Sequence, residues 1–146
     1  MITHIWTVLC SRAVIDRDSN NCSLQNVIEQ LNIKKKPEPE AMLVIAFDVV
    51  TLWSRTNPGV PGKGRERLTF LSPSGTELGS FEISIDLSNT KRFRSQVRFE
   101  GLPVREPGLY SFRVDLQNDS ETEWYQVAAI PLEITFELPE PTSPSF

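Results

Sequence analysis

Histidine is almost missing from this sequence: one occurs in 146 residues, His4, close to the N-terminus. A Ser or Cys nucleophile needs a base beside it, and no Gly-x-Ser-x-Gly elbow is present. Hydrolase chemistry of the Ser–His or Cys–His kind therefore has no foundation, and His4 reads as an edge histidine without a role. Cysteine is scarce too, with only Cys10 and Cys22. A zinc site from His4, Cys10 and Cys22 lacks the paired spacing that structural zinc requires. Long hydrophobic runs are also lacking. The longest, 42–47, stops at Asp48, against the ~20 residues a bilayer needs. The N-terminus does not read as a signal peptide, because no Lys or Arg precedes the first apolar residues and the stretch 5–10 is interrupted by Thr7 and stopped by Arg12. Nor is there an excess of positive charge. The 15 Lys and Arg face 19 Asp and Glu, giving a net charge of -4 and a pI near 5.1, so no global basic field recruits nucleic acid or an anionic membrane. These absences imply a cytoplasmic, non-enzymatic protein without metal or cofactor. In that setting the triplets Asn21-Cys22-Ser23 and Asn118-Asp119-Ser120 carry no glycosylation meaning.

What is present points to strands. A length of 146 residues with 39% hydrophobic and 23% charged residues suits one globular domain and excludes wholesale disorder. Period-two alternation recurs, broken by turn residues every dozen positions or so. Over 92–100, Phe93, Val97 and Phe99 (with Ser95 between) share one parity, while Arg92, Arg94, Gln96, Arg98 and Glu100 take the other. Tyr110, Phe112, Val114 and Leu116 alternate with polar residues, as do Leu132, Ile134 and Phe136, and Phe81, Ile83 and Ile85. The stretch 41–53 is apolar on both parities, which implies a central strand or one whose outer face meets a partner. Together these patterns predict an all-β, antiparallel two-sheet sandwich of seven to nine strands over 1–137. The Pro-rich stretch 138–146 reads as a C-terminal tail.

The connections are chemically sensible. Ser72-Pro73-Ser74-Gly75 and Gln117-Asn118-Asp119-Ser120 are turn sequences, and Glu106-Pro107-Gly108 carries Pro and Gly where a type II turn wants them. The stretch 54–65, with two prolines and three glycines, reads as one long connecting loop, a length that is usually functional or disordered. Residues 22–33 resist assignment from periodicity. Leu24, Val27, Ile28 and Leu31 follow helical spacing behind Ser23 as N-cap, yet the same residues fit a strand with a parity-changing bulge. If 4–33 instead form a hairpin about 16–21, Cys10 lies opposite the neighbourhood of Val27. That is about five residues from the level of Cys22, roughly 16 Å at the strand rise, too far for a disulfide. Two free thiols are expected.

The order of three segments carries a resemblance. Trp6-Thr7-Val8-Leu9-Cys10 leads into an Asp- and Asn-rich turn, Ser23-Leu24-Gln25-Asn26-Val27-Ile28-Glu29-Gln30 follows, and Glu106-Pro107-Gly108-Leu109-Tyr110-Ser111-Phe112-Arg113-Val114 comes near the end. Together they resemble a family of short, uncharacterised bacterial proteins with an immunoglobulin-like sandwich. The resemblance implies a strand for 22–33 and a bacterial cytoplasmic setting, and it brings no catalytic residues. Independently, the turn at Pro107 and Gly108 delivers Tyr110 to the first inward position of a core strand, similar to the tyrosine corner of immunoglobulin-like sandwiches.

Candidate sites are few. Asp16, Asp18 and Asn20 match the opening of an EF-hand loop, but Asn21 stands at the glycine position and Val27 at the closing carboxylate. A plain turn is the better reading. Every Glu and Asp falls on an outward strand position, leaving no glycosidase-type carboxylate pair. Basic residues gather at Arg55, Lys63, Arg65 and Arg67 in or beside the expected loop, and at Lys91, Arg92, Arg94 and Arg98 along one strand face. They form either a face for an acidic partner or phosphate or a solvated surface balanced by Glu66 and Glu100. Trp6, Trp53 and Trp124 read as core on average, an exposed one marking an interface. The leading expectation is a binding or assembly module that engages another protein through the long loop or an open sheet edge. The alternative is a nucleic-acid accessory protein using the face from Lys91 to Arg98.

Overall fold

Alternating sequence segments become strands that bury one parity each. The computed structural model describes residues 1–34 and 42–137. It contains β1 (Ile2–Ile15), β2 (Cys22–Val27), β3 (Gln30–Ile33), β4 (Leu43–Arg55) and β5 (Gly62–Leu71), then β6 (Glu77–Leu87), β7 (Arg92–Leu102), β8 (Gly108–Asn118) and β9 (Tyr125–Phe136). No helix occurs among the described residues, and the expected tail at 138–146 lies outside them.

Two sheets result, ordered β2-β1-β4-β7 and β3-β9-β8-β5-β6. All pairs are antiparallel except β3 with β9, which run parallel. The β9-β8-β5-β6 order matches the G-F-C-C′ order of variable-type immunoglobulin sandwiches. The Tyr110 hydroxyl donates to the Glu106 carbonyl at 2.7 Å, the bond of a tyrosine corner. This is an immunoglobulin-like sandwich.

The inner faces meet over an aromatic cluster. Phe47 stacks on Phe99 at 5.1 Å between ring centroids, and Phe70 stacks on Tyr110 at 5.3 Å. Phe112 touches Phe47, Phe70 and Phe99. Such pairs add about 0.5–1.5 kcal/mol each beyond their area burial. Trp53, Leu9, Leu68, Leu132 and Ile134 complete the core.

Three expectations need correction. The long loop 54–65 does not exist as such: β4 continues to Arg55 and β5 begins at Gly62, so the connection shrinks to residues 56–61. Glycine and proline content suggested a loop, but pairing with β6 and β8 holds Gly62 and Gly64 in strand. Residues 22–33 are two strands, not one bulged strand. The β1–β2 register runs without shift, placing Cys10 opposite Val27, and the chain then crosses to the other sheet to pair with β9. Asn26, at φ 54°, lies just ahead of this crossing. Helix-like spacing arose because Ile28, Leu31 and Ile33 pack against the core from the second sheet's side of the crossing. Finally, the acids do not all lie on exposed outer positions. Glu66 points into the core, and Asp48 and Asp115 are buried on outer faces.

β4 is central in its sheet, as its two apolar parities imply, but its covering is uneven. Asp48 and Val50 on its outer face are buried, whereas Val44 is 90% exposed. The cover comes from β1, which leaves β4 after the Cys10–Asp48 pair. The Ala13 amide then donates to the Asp48 carboxylate. The loop after it reaches Arg94, which donates to the Asn20 carbonyl at 3.0 Å. Both cysteines are free thiols.

Candidate functional site

The arginines singled out in the sequence are scattered and mostly committed. Arg98 bonds buried Asp48 at 3.1 Å, and Gln96 and the Ala13 amide donate to the same carboxylate. This acid, not Glu100 or Glu66, balances that end of the face. Arg94 places its Nη2 on the Asn20 carbonyl, while its buried Nε has no hydrogen-bond partner. Arg92 is exposed and makes no hydrogen bond or ion pair among the described residues.

Arg55, Lys63 and Arg65 are strand residues, not loop residues. Arg55 ties the 56–61 connection to the β6–β7 turn through the carbonyls of Leu87, Pro58 and Ser88. Arg65 pairs with Glu82 and bonds Gln117. Arg67 lies over the Trp124 ring at 4.3 Å. Lys63 sits at the β5–β6 rung with Asp86. Arg55 shares a cleft with Lys91 and Arg92, while Lys63, Arg65 and Arg67 lie on β5 of the other sheet.

The remaining candidates hold local structure. Asp16 accepts the Ser19 hydroxyl at 2.6 Å, which holds its carboxyl below the usual value, with the Asp18 and Ser19 amides assisting. Asn20 takes φ 60°, so 16–21 is a self-bonded turn. No three His, Cys, Asp or Glu side chains converge on a metal position among the described residues. His4 lies on β1, an internal strand, edge-on to Trp53 and bonded through Nε2 to Thr7. Burial lowers its pKa.

Sequence reasoning missed Glu66. Its carboxylate sits between the sheets, accepting Trp53 Nε1–H at 2.7 Å and Ser95 Oγ–H at 2.6 Å on one oxygen, while the other has no partner. Burial raises its pKa, and the two bonds oppose the rise. The signal was present: Glu66 shares parity with Leu68 and Phe70, as Ser95 does with Phe93 and Val97. Two polar residues on inward rows of facing sheets predict a bond across the core.

Two surfaces stand out as places for a ligand. One is an apolar slot of about 210 Å³ between β6 and β7, walled by Phe70, Leu78, Phe81, Phe99 and Leu102, with Met42 at its mouth. Both strands are sheet edges here. Phe81 bridges the seam edge-on to Phe99 at 5.3 Å yet stays 46% exposed. Gly79 leaves open space beside it. The other is a chamber of about 430 Å³ on the outer face of the four-stranded sheet, beneath residues 19–22.

No protein-family model matches the chain, and no curated protein matches it. Solved structures resemble it distantly, among them the following two. One is a family 123 glycoside hydrolase from Clostridium perfringens, 9% identical with a TM-score of 0.45, the match covering 90% of this chain and 27% of that one. The other is an immunoglobulin-like protein from Pseudomonas aeruginosa, 13% identical with a TM-score of 0.39, covering 92% of this chain and 96% of that one. The chain thus spans about a quarter of the hydrolase's length. Neither likeness bears on activity.

Proposed function

We propose that the protein is a non-enzymatic binding module that takes up an extended segment of another protein along the free edge of β6. The observation that carries this reading is the slot: an apolar cleft opening between two edge strands, each paired on one side only, with Phe81 at its lip. A free edge offers a row of backbone N–H and C=O groups, and an added strand gains affinity from them and specificity from pockets for alternate side chains. The slot fits one aliphatic or aromatic anchor. The open-edge part of the sequence expectation is kept, and the long-loop part is withdrawn. The setting belongs to the same proposal: a cytoplasm, bacterial by the resemblance, for which two free thiols speak.

A photoreactive residue in place of Leu78 tests the reading in the native host, with Gln126 on β9 as control position. A protein captured at Leu78 and not at Gln126 is then purified and mixed with the chain. Phe81→Arg should abolish that complex without unfolding the chain. Equal capture at both positions, or a complex indifferent to Phe81→Arg, sinks the proposal.

A further inference from the structure

The chamber beneath residues 19–22 has a chemistry of its own. Trp6 and Leu52, neighbours across the β1–β4 ladder, form its floor. Asn20 and Asn21 form one wall, Arg92 and Arg94 the other, and no carboxylate of the described residues lines it. Its volume of about 430 Å³ is that of a small-molecule site, and its lining is mostly polar, with Trp6, Leu52 and Phe93 as the apolar part. The two cations are not both consumed. Arg92 has no partner among the described residues, and Arg94 is held by one nitrogen while its buried Nε–H lacks an acceptor. Past Leu52 and Arg92, which line both, lies a second cleft of about 370 Å³, where Ile5 and Pro58 stand beside Ser54, Arg55 and Lys91.

We infer that this chamber binds a small organic anion: a carboxylate or phosphate held by Arg92 and Arg94, carried on a planar apolar body that lies on Trp6 and extends toward Ile5 and Pro58. Guanidinium groups match both oxyanions in two-point geometry, and an indole face suits a flat ligand. The protein's net charge of -4 does not oppose this, because the walls are locally cationic. The site lies on the opposite sheet face from the core and apart from the β6 slot, so it stands or falls independently of the proposed protein partner.

The test uses the full chain, titrated with phenyl phosphate, benzoate, inorganic phosphate and benzyl alcohol, and followed by tryptophan fluorescence and amide chemical shifts. Saturable shifts at Trp6, Leu52 and Asn20 are expected with phenyl phosphate or benzoate, the tighter of the two naming the oxyanion. Arg92→Ala should weaken binding by about tenfold, the loss expected for one charge-assisted contact. This arginine anchors nothing, so its thermal midpoint should match the wild type. Arg94→Lys keeps the charge but loses the fork, and should weaken binding as well. Inorganic phosphate binding as tightly as phenyl phosphate, or benzyl alcohol as tightly as benzoate, overturns the assignment. So does the absence of saturable shifts with all probes up to about 10 mM, below the weakest affinity worth calling a site.

Discussion

At Glu66, burial and hydrogen bonding pull in opposite directions. Burial wins, raising the carboxyl above its ordinary 4.5 despite the Ser95 and Trp53 donors. The native state therefore keeps a proton at pH values where the unfolded chain has lost it. The stability linked to this group is greatest below 4.5, declines as pH rises through the native pKa, and levels off above it. Glu66→Gln keeps the accepting oxygen and removes the titration. Urea unfolding across pH should show the variant gaining on the wild type through that window; parallel curves would refute the argument. Glu66→Ala is a different experiment. It strands the Trp53 and Ser95 donors in the core and should cost about 2–4 kcal/mol. The arginines divide in the same way. Arg98 is half exposed but holds the buried Asp48 carboxylate, so Arg98→Ser should cost about 1–2 kcal/mol. Arg92→Ser should stay within about 0.5 kcal/mol. From the sequence Arg92, Arg94 and Arg98 looked alike, since alternation reports which face a residue takes and not what curls over that face. The curl of β1 onto Asp48 is a tertiary event with no local pattern to announce it.

Elements defined by strict alternation were readable in the sequence, and those defined by a change of sheet were not. Strands β7, β8 and β9 keep one parity inward along most of their length, so their patterns matched what they bury. The β2–β3 crossing breaks parity within a few residues, and only the resemblance favoured strand over helix there. The corner before β8 shows how a turn can be legible yet constrained beyond its type. Gly108 sits at φ 147°, and a Cβ there would lie 2.6 Å from Pro73 Cγ. Two requirements thus converge, a positive φ and close approach to a rigid ring. Gly108→Ala should cost about 1–3 kcal/mol, and Tyr110→Phe, which loses only the bond to the Glu106 carbonyl, about 1 kcal/mol. Denaturant midpoints of the two variants check the ranking; a harmless Gly108→Ala would contradict it.

Taken whole, the molecule carries a net charge of -4; Arg98 and Arg65 are paired with Asp48 and Glu82, while Arg94 and Arg55 bond backbone carbonyls. Duplex and single-stranded nucleic acid should therefore show no measurable retardation with the protein even at low salt, where counterion release favours binding most. Tight, salt-sensitive binding would instead promote the nucleic-acid reading above the protein-partner one. The class of fold was legible at this scale because alternation recurs along most of the chain, while strand order depended on pairings no local pattern encodes. Those pairings have a kinetic consequence. The Ile2 amide meets Asn118, 116 residues away, and Asn32 meets Glu137, 105 residues away. The first contact joins the two sheets and the second lies along the β3–β9 pair, and the entropy of closing those long loops must be met before either contact rewards it. Refolding should accordingly be slow for a domain of this size, in the range of roughly milliseconds to seconds that β-sandwiches occupy. Until the ends meet, the edges of β6 and β7 are already free to find the wrong neighbour.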